Sequence, residues 1–203
     1  MSRKIDPQLI LSIGVFIISL AAVYVSMRQA NIMNRQTEIL LEQTKANAWP
    51  SLHLGLSRSF ALNKAGEYKI DQYIIGVVNK GTGPAIIKGV RVARGEKYVK
   101  GWGELFKLFD PPDGVESTIS NSGVSNQVFA AGERKVIINL SQNKPLMEWF
   151  FQHSHQLKIE ICYESVYGDA FLVKQTGFQT NLETNVTQKT DGCNFKTVEL
   201  FLQ

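Results

Sequence analysis

The sequence predicts a mainly-β chain: an antiparallel β-sandwich with two short helices, preceded by one long N-terminal helix that crosses a membrane and continues as a stalk. Three observations lead there. Leu9 to Met27 is a run of nineteen residues with neither charge nor proline. Arg28 to Asn47 is rich in helix formers, lacks proline and glycine, and is followed by Trp49-Pro50. From Ser51 onward apolar and polar residues alternate, and turn residues recur about every eight to twelve positions, as in short sandwich strands.

At about 1.5 Å of rise per residue, Leu9–Met27 spans roughly the 30 Å of a bilayer core. Ser12, Ser19 and Ser26 are its clearly polar members. A buried core helix usually runs shorter and keeps a polar face. A cleaved signal peptide has an apolar region of about 7–15 residues ending in small ones. Here Ala21 and Ala22 lie inside the run and Val23-Tyr24-Val25 continue past them. The expectation is an uncleaved single-pass anchor, with the lipid bilayer as a partner. Arg3 and Lys4, with Asp6, precede the run, and Arg28 and Arg35 follow it. The rule that basic flanks stay inside therefore reads close to a draw.

In the stalk, Ile32, Ile39 and Ala46 repeat every seven residues, as do Met33 and Leu40, with Gln36 and Gln43 between. Ile32, Met33, Gln36, Ile39, Leu40 and Gln43 thus form a narrow coiled-coil seam of under three heptads. They are the candidate residues for self-association through anchor and stalk. The alternative is a juxtamembrane helix packed on its own domain or on lipid headgroups. Pro50 ends the helix because its ring disfavours the α conformation at Trp49. The expected segments are a tail (1–8), the transmembrane helix (9–27), the stalk (28–48), the sandwich (49–175) and a C-terminal extension (176–203).

The 155 residues from Trp49 suffice for one self-sufficient core. They carry 17 of the 22 Lys and Arg and 15 of the 18 Asp and Glu, a spread-out excess that is no nucleic-acid footprint. Cys162 and Cys193 are the two cysteines. They can pair if the domain lies outside the cytoplasm, but two cysteines make no disulfide framework. Leu52, Leu54 and Leu56 alternate with His53, Gly55 and Ser57 as a half-buried strand, which leaves His53 solvated. Tyr68–Asn79 and Ala85–Arg94 read as longer strands joined by Lys80-Gly81-Thr82-Gly83-Pro84. Trp102, Leu105, Phe106 and Phe109 fall on one face of a short helix that Asp110-Pro111-Pro112-Asp113-Gly114 breaks. Short strands follow at Ser117–Ser120 and Ser125–Phe129, then a core strand, Lys135–Leu140. Pro145–Gln152 is a second short helix. In Gln156–Val166, Leu157, Ile159, Ile161 and Tyr163 face one way and Lys158, Glu160, Cys162 and Glu164 the other. Ala170–Gln175 closes the hairpin. The tail from Thr176 is polar until Val198–Leu202, which docks as a last edge strand or stays free.

No HExxH, GxSxG or phosphate loop is present, so no catalytic residue and no cofactor is expected. His153 and His155 flank Ser154 without a carboxylate or cysteine in the same turn, which reads as a solvated turn and not a metal site. Glu160, Glu164 and Asp169 read as surface charge. Lys88, Arg91, Arg94, Lys97 and Lys100 are five cations within thirteen residues. They are the candidate site for an anion or a partner, by pairing with phosphate or lipid headgroups. An exposed strand face with a solvated turn is the plainer reading.

Trp49-Pro50 with Leu52 and Leu54, the element Asn79 to Ile87 (NKGTGPAII) and the element Ile161 to Asp169 (ICYESVYGD) resemble one another's counterparts in a group of bacterial proteins. These are built as membrane helix, linker helix and immunoglobulin-like β domain. The resemblance implies an immunoglobulin-like sandwich at the bacterial inner membrane, turn glycines and a packed tyrosine corner, and no catalytic residues. Together with the outward position expected for Cys162, it implies a domain on the cytoplasmic side, the periplasm being the alternative. The expected function is a membrane-anchored, non-catalytic module that binds a protein partner or assembles with itself. The alternative is a membrane effector whose β domain senses a small anionic ligand.

Overall fold

The computed structural model describes residues 7–112, 119–179, 185–196 and 200–201. The chain divides into two units, Met1–Ala46 and Asn47–Gln203. The first is essentially one α-helix, α1, Pro7–Asn47. Its apolar residues are exposed on every side: Phe16 is 64%, Ile18 70% and Leu20 55% exposed. Over its most apolar stretch the mean hydropathy is 1.9, enough by length and composition to cross a membrane. Two serines of the apolar run are satisfied within the helix, which suits a span without water. Ser19 Oγ donates to the Val15 carbonyl at 2.8 Å and Ser26 Oγ to that of Ala22 at 2.9 Å. Arg28 Nε donates to Tyr24 Oη at 3.0 Å just past the apolar run, an aromatic and a cation where an interface is expected.

The second unit is an antiparallel β-sandwich. One sheet has the order β1-β2-β7-β5, with β1 Leu52–Leu62, β2 Tyr68–Asn79, β7 Arg134–Asn139 and β5 Ser120–Asn121. The other has the order β10-β9-β8-β3-β4: Val186–Thr190, Ala170–Thr176, Leu157–Glu164, Ala85–Arg94 and Lys97–Val99. β6, Val128–Phe129, pairs with the start of β3. Leu54, Ile75 and Val77 from the first sheet and Ile87, Val92, Ile159, Ile161 and Val173 from the second fill the core. Two helices complete it. The predicted face of α2, Trp102–Phe109, is buried in full. α3, Lys144–His153, is capped by the Asn143 side chain, which accepts from Leu146 N–H at 3.2 Å. Phe150 meets Phe106 at 5.3 Å, Phe109 at 5.4 Å and Tyr73 at 5.7 Å between ring centroids. These rings bind the helices to the core.

Two strands have no counterpart in the sequence reading. β4 is three residues inside the basic stretch, and β10 lies in the polar extension after Thr176. Both are short edge strands whose polar side chains give no apolar alternation. Of the Ser117–Ser120 strand, residues 117 and 118 lie outside the described residues, as do Val198, Glu199 and Leu202 of the last apolar segment. Phe201 does dock. It is 2% exposed, donates its N–H to the Val90 carbonyl at 2.9 Å, and meets the Trp102 ring at 4.9 Å.

Candidate functional site

The turn after β2 is a clasp on the start of the domain. Asn79 is fully buried, and its Oδ1 accepts from the N–H groups of Ser51 at 3.1 Å and Gly81 at 3.0 Å. Its Nδ2 faces the carbonyls of Gly83 at 2.8 Å and of Phe129 and Ala130 at 3.2 Å each. The Trp49 carbonyl accepts from Thr82 and Gly83. The two glycines of the turn are required by this approach: a Cβ at Gly81 would lie 2.2 Å from the Trp49 oxygen, and one at Gly83 2.0 Å from that of Ala48. The motif therefore fixes how the chain enters the sandwich.

The five cations at Lys88–Lys100 do not form one open patch. Arg91 pairs with Glu160 at 2.7 Å and lies over the Phe195 ring at 4.0 Å and the Tyr98 ring at 4.8 Å. Arg94 donates to Gln156 at 2.6 Å and to the Leu108 carbonyl, over the Phe109 ring. Lys88 pairs with Glu164 at 3.1 Å. Lys97 and Lys100 are exposed. The arginines thus join the sheet to what packs on it.

What packs there is the C-terminal strap, residues 191–196. Cys162 and Cys193 form a disulfide with Cα atoms 5.6 Å apart. Cys162, expected on an exposed outer face, is 1% exposed; Lys158 and Glu160 beside it are 5% and 4% exposed. Alternation placed these residues on the outer face correctly, but the strap covers Cys162 there and Tyr98 lies against Lys158 and Glu160. The cluster is well compensated: Tyr98 Oη donates to Glu160 at 3.2 Å, Lys174 lies 4.0 Å from it, and Lys158 pairs with Glu96 at 3.7 Å. Burial works against the Lys158 ammonium, yet the Tyr98 hydroxyl and the Glu160 and Glu96 carboxylates outweigh it and raise its pKa. Burial likewise raises the Tyr73 and Tyr163 hydroxyls, which donate to or accept from core backbone at Phe178 and Leu52. A cavity of about 620 Å³ lies beside the cluster, lined by Glu160, Leu172, Lys174 and Gln188.

The stalk candidates are all exposed on the single chain: Ile32 54%, Met33 65%, Ile39 54% and Leu40 61%, with Gln36 and Gln43. His153 Nδ1 bonds the Trp149 carbonyl at 2.8 Å and its ring lies 4.8 Å from that of Trp149; His155 Nδ1 bonds the Gln152 carbonyl. Among the described residues no group of three His, Cys, Asp or Glu is placed to hold a metal. A feature without a sequence signal is a trough of about 290 Å³ on the outer face of β1, β2 and β7, floored by Gly55 and Gly76. Gly55 and Gly76, each in a strand interior, were its visible traces.

Comparison with protein-family models and with curated proteins finds no match. Among solved structures, a chain of the archaeal flagellum of Methanospirillum hungatei strain JF1 is similar at 14% identity and a TM-score of 0.35. The alignment covers 88% of this chain and 96% of that one, and at that score it assigns this chain no function.

Proposed function

We propose that the chain is a single-pass membrane protein whose β-sandwich is a non-catalytic binding and assembly module, held at the membrane by α1. The observation that carries this is α1 itself. Its charge-free half is exposed on every side, so in water it would leave an apolar surface that only lipid or other helices can cover. The sandwich supplies recognition surface. Its buried charges are compensated in place, as in a structural network, with Glu160 spent on Arg91.

The disulfide bears on the side of the membrane. Disulfides persist in oxidising compartments and are rare in the cytosol. The Cys162–Cys193 bond favours the extracytoplasmic side over the cytoplasmic one that the resemblance implies, and a cytoplasmic N-terminus bearing Arg3 and Lys4 agrees with it. A phosphatase reporter active only in an oxidising compartment, fused after Gln203, should be active, and the protein should stay in the membrane after alkaline carbonate washing. An inactive reporter with both thiols free to alkylation returns the domain to the cytoplasm. Release by carbonate defeats the anchor.

A further inference from the structure

The inner face of the β1–β2 hairpin runs on past the core. Leu52 and Leu54 hold that face on β1, and alternation carries it through Phe60 to Leu62. On β2 it is held by Val77, Ile75 and Tyr73. The register then shifts between Ser59 and Phe60, which leaves Asp71 as an extra residue and turns Ile70 and Tyr68 to the same face. Ile70 is the last of the row to be covered, at 6% exposed. Beyond it Phe60 is 46%, Leu62 60% and Tyr68 74% exposed, and Leu62 and Tyr68 are cross-strand partners. Three large apolar side chains together at an exposed hairpin end mark an interaction site.

The turn that carries them is fixed. Asn63 Oδ1 accepts from the N–H groups of Ala65 and Glu67 at 2.9 Å each, and its Nδ2 donates to the Glu67 carboxylate at 3.0 Å. Lys64 in the turn and Lys69 on β2 are exposed, and Arg58 lies over the Phe60 and Phe151 rings. The acids nearby are Glu67, Asp71, which pairs with Lys144 at 3.2 Å, and Glu148, which pairs with Lys69 at 3.7 Å. Arg58, Lys64, Lys69 and Lys144 outnumber them. At the foot of the hairpin a cavity of about 340 Å³ is lined by Phe60, Tyr68, Lys69, Glu148 and Phe151. The Lys69–Glu148 pair is exposed on both sides, 53% and 40%, so Lys69 can exchange Glu148 for another anion at little cost.

We propose that this hairpin end docks on an anionic phospholipid bilayer: Phe60, Leu62 and Tyr68 enter the headgroup layer, and Lys64 and Lys69 meet its phosphates. The residue types select this occupant. A branched apolar side chain, an aromatic with one polar end and lysines whose stems lie along apolar surface are what the interface between lipid and water takes up. The excess of cations suits an anionic leaflet. It disfavours a second copy, because hairpin end on hairpin end sets Lys64 and Lys69 against their own counterparts, and hairpin end in trough sets them against Lys80 and Arg134. The inference rests on the membrane reading above: three side chains make a small contact, and confinement by the anchor supplies the effective concentration that populates it.

The test uses the full chain reconstituted in liposomes of phosphatidylethanolamine and phosphatidylglycerol, with p-benzoylphenylalanine replacing Leu62, an exposed position. Irradiation should add the mass of one phospholipid to the tryptic peptide Ser59–Lys64. Each lysine near an anionic surface is worth a factor of about five. Lys64→Gln with Lys69→Gln should therefore cut the lipid adduct at least fivefold while leaving the thermal unfolding midpoint unchanged, and vesicles of phosphatidylcholine alone should do the same to the unaltered pair. Tyr68→Ser should also cut it at least fivefold. An adduct to another segment of the chain or to a second copy, no adduct, or a lipid adduct indifferent to these changes overturns the docking. Flotation of the vesicles reads the anchor separately. A chain that floats without a lipid adduct at position 62 keeps the anchor and loses the docking. A chain that stays behind defeats the anchor reading, and the adduct in the same irradiated mixture still decides the hairpin.

Discussion

Replacing both Cys162 and Cys193 with alanine should loosen the strap and leave the two sheets intact. The bond closes a loop of sequence separation 31, and the chain-entropy relation gives roughly 3.7 kcal/mol for a loop of that length at 25 °C. Alanine is chosen because Cys162 is 1% exposed, where a serine hydroxyl would add a desolvation cost of its own. For a domain of this size about 1 kcal/mol moves the midpoint by roughly 2–4 °C, so the double variant should melt about 7–15 °C lower. All three tryptophans, Trp49, Trp102 and Trp149, lie in the domain, so near-ultraviolet circular dichroism of the full chain in detergent follows the sandwich and not α1. Dithiothreitol on the unaltered chain should reproduce the shift, and trypsin should then cut after Lys196 in the strap. If both treatments leave the midpoint within about 2 °C and Lys196 protected, the strap is held by the Arg91–Phe195 stack and by Phe201, and assigning the latch to the disulfide is wrong.

Four further outcomes follow from the same contacts. Asn79→Ala removes both ends of a five-bond network in a fully buried place and should cost at least about 3 kcal/mol in urea unfolding of the full chain. Gly83→Ala should disturb the same clasp through its Cβ, and an unaffected midpoint would show that Ala48 can move aside. Phe201→Ala should cost about 3–5 kcal/mol with the disulfide still formed, separating apolar docking from the covalent link. Stability should fall in alkali. Tyr73, Tyr163 and Lys158 hold their protons more tightly folded than unfolded, so their contribution is complete below their ordinary values and is lost as pH rises past about 10, each by up to about 1.4 kcal/mol per pH unit. Unfolding midpoints that stay level from pH 9 to 11.5 would contradict those shifts.

The elements legible in the sequence are those whose own residues determine their burial. The charge-free run of α1, the one-sided face of α2 and the alternation of β1, β2 and β8 are local patterns, and the structure contains each of them. What sequence could not show is what covers a face. Lys158, Glu160 and Cys162 alternate as outward residues should, but Tyr98 lies at Lys158 and Glu160, and Cys193, 31 positions later, is bonded to Cys162. The signal was a cysteine, Cys193, with Phe195 and Phe201 in an otherwise polar tail. Nor could spacing reveal that Gly81 and Gly83 are required by backbone approach to Ala48 and Trp49, since that depends on two distant segments meeting.

The two outer faces of the sandwich then differ in a way that bears on function. On the six-stranded sheet the chain's own C-terminal strap covers the outer face around Cys162 and Arg91, the cavity beside Glu160, Leu172, Lys174 and Gln188 stays open, and charges there are paired: Arg91 with Glu160, Lys88 with Glu164, Lys189 with Asp169 at 2.6 Å. On the four-stranded sheet the outer face holds Ile74, Val78 and Val136 around two glycines, and its rim carries exposed cations at Lys80 and Arg134. An antiparallel sheet that faces only water is expected to be polar on that side. Among the described residues that face is apolar and hollowed at Gly55, where a Cβ would meet nothing within 4 Å. Any surface by which this domain recognises a protein partner is therefore expected at these open parts of the two sheet faces and not on the cation-rich strand β3 to which the sequence first draws attention, because its arginines are spent on the strap and on α2.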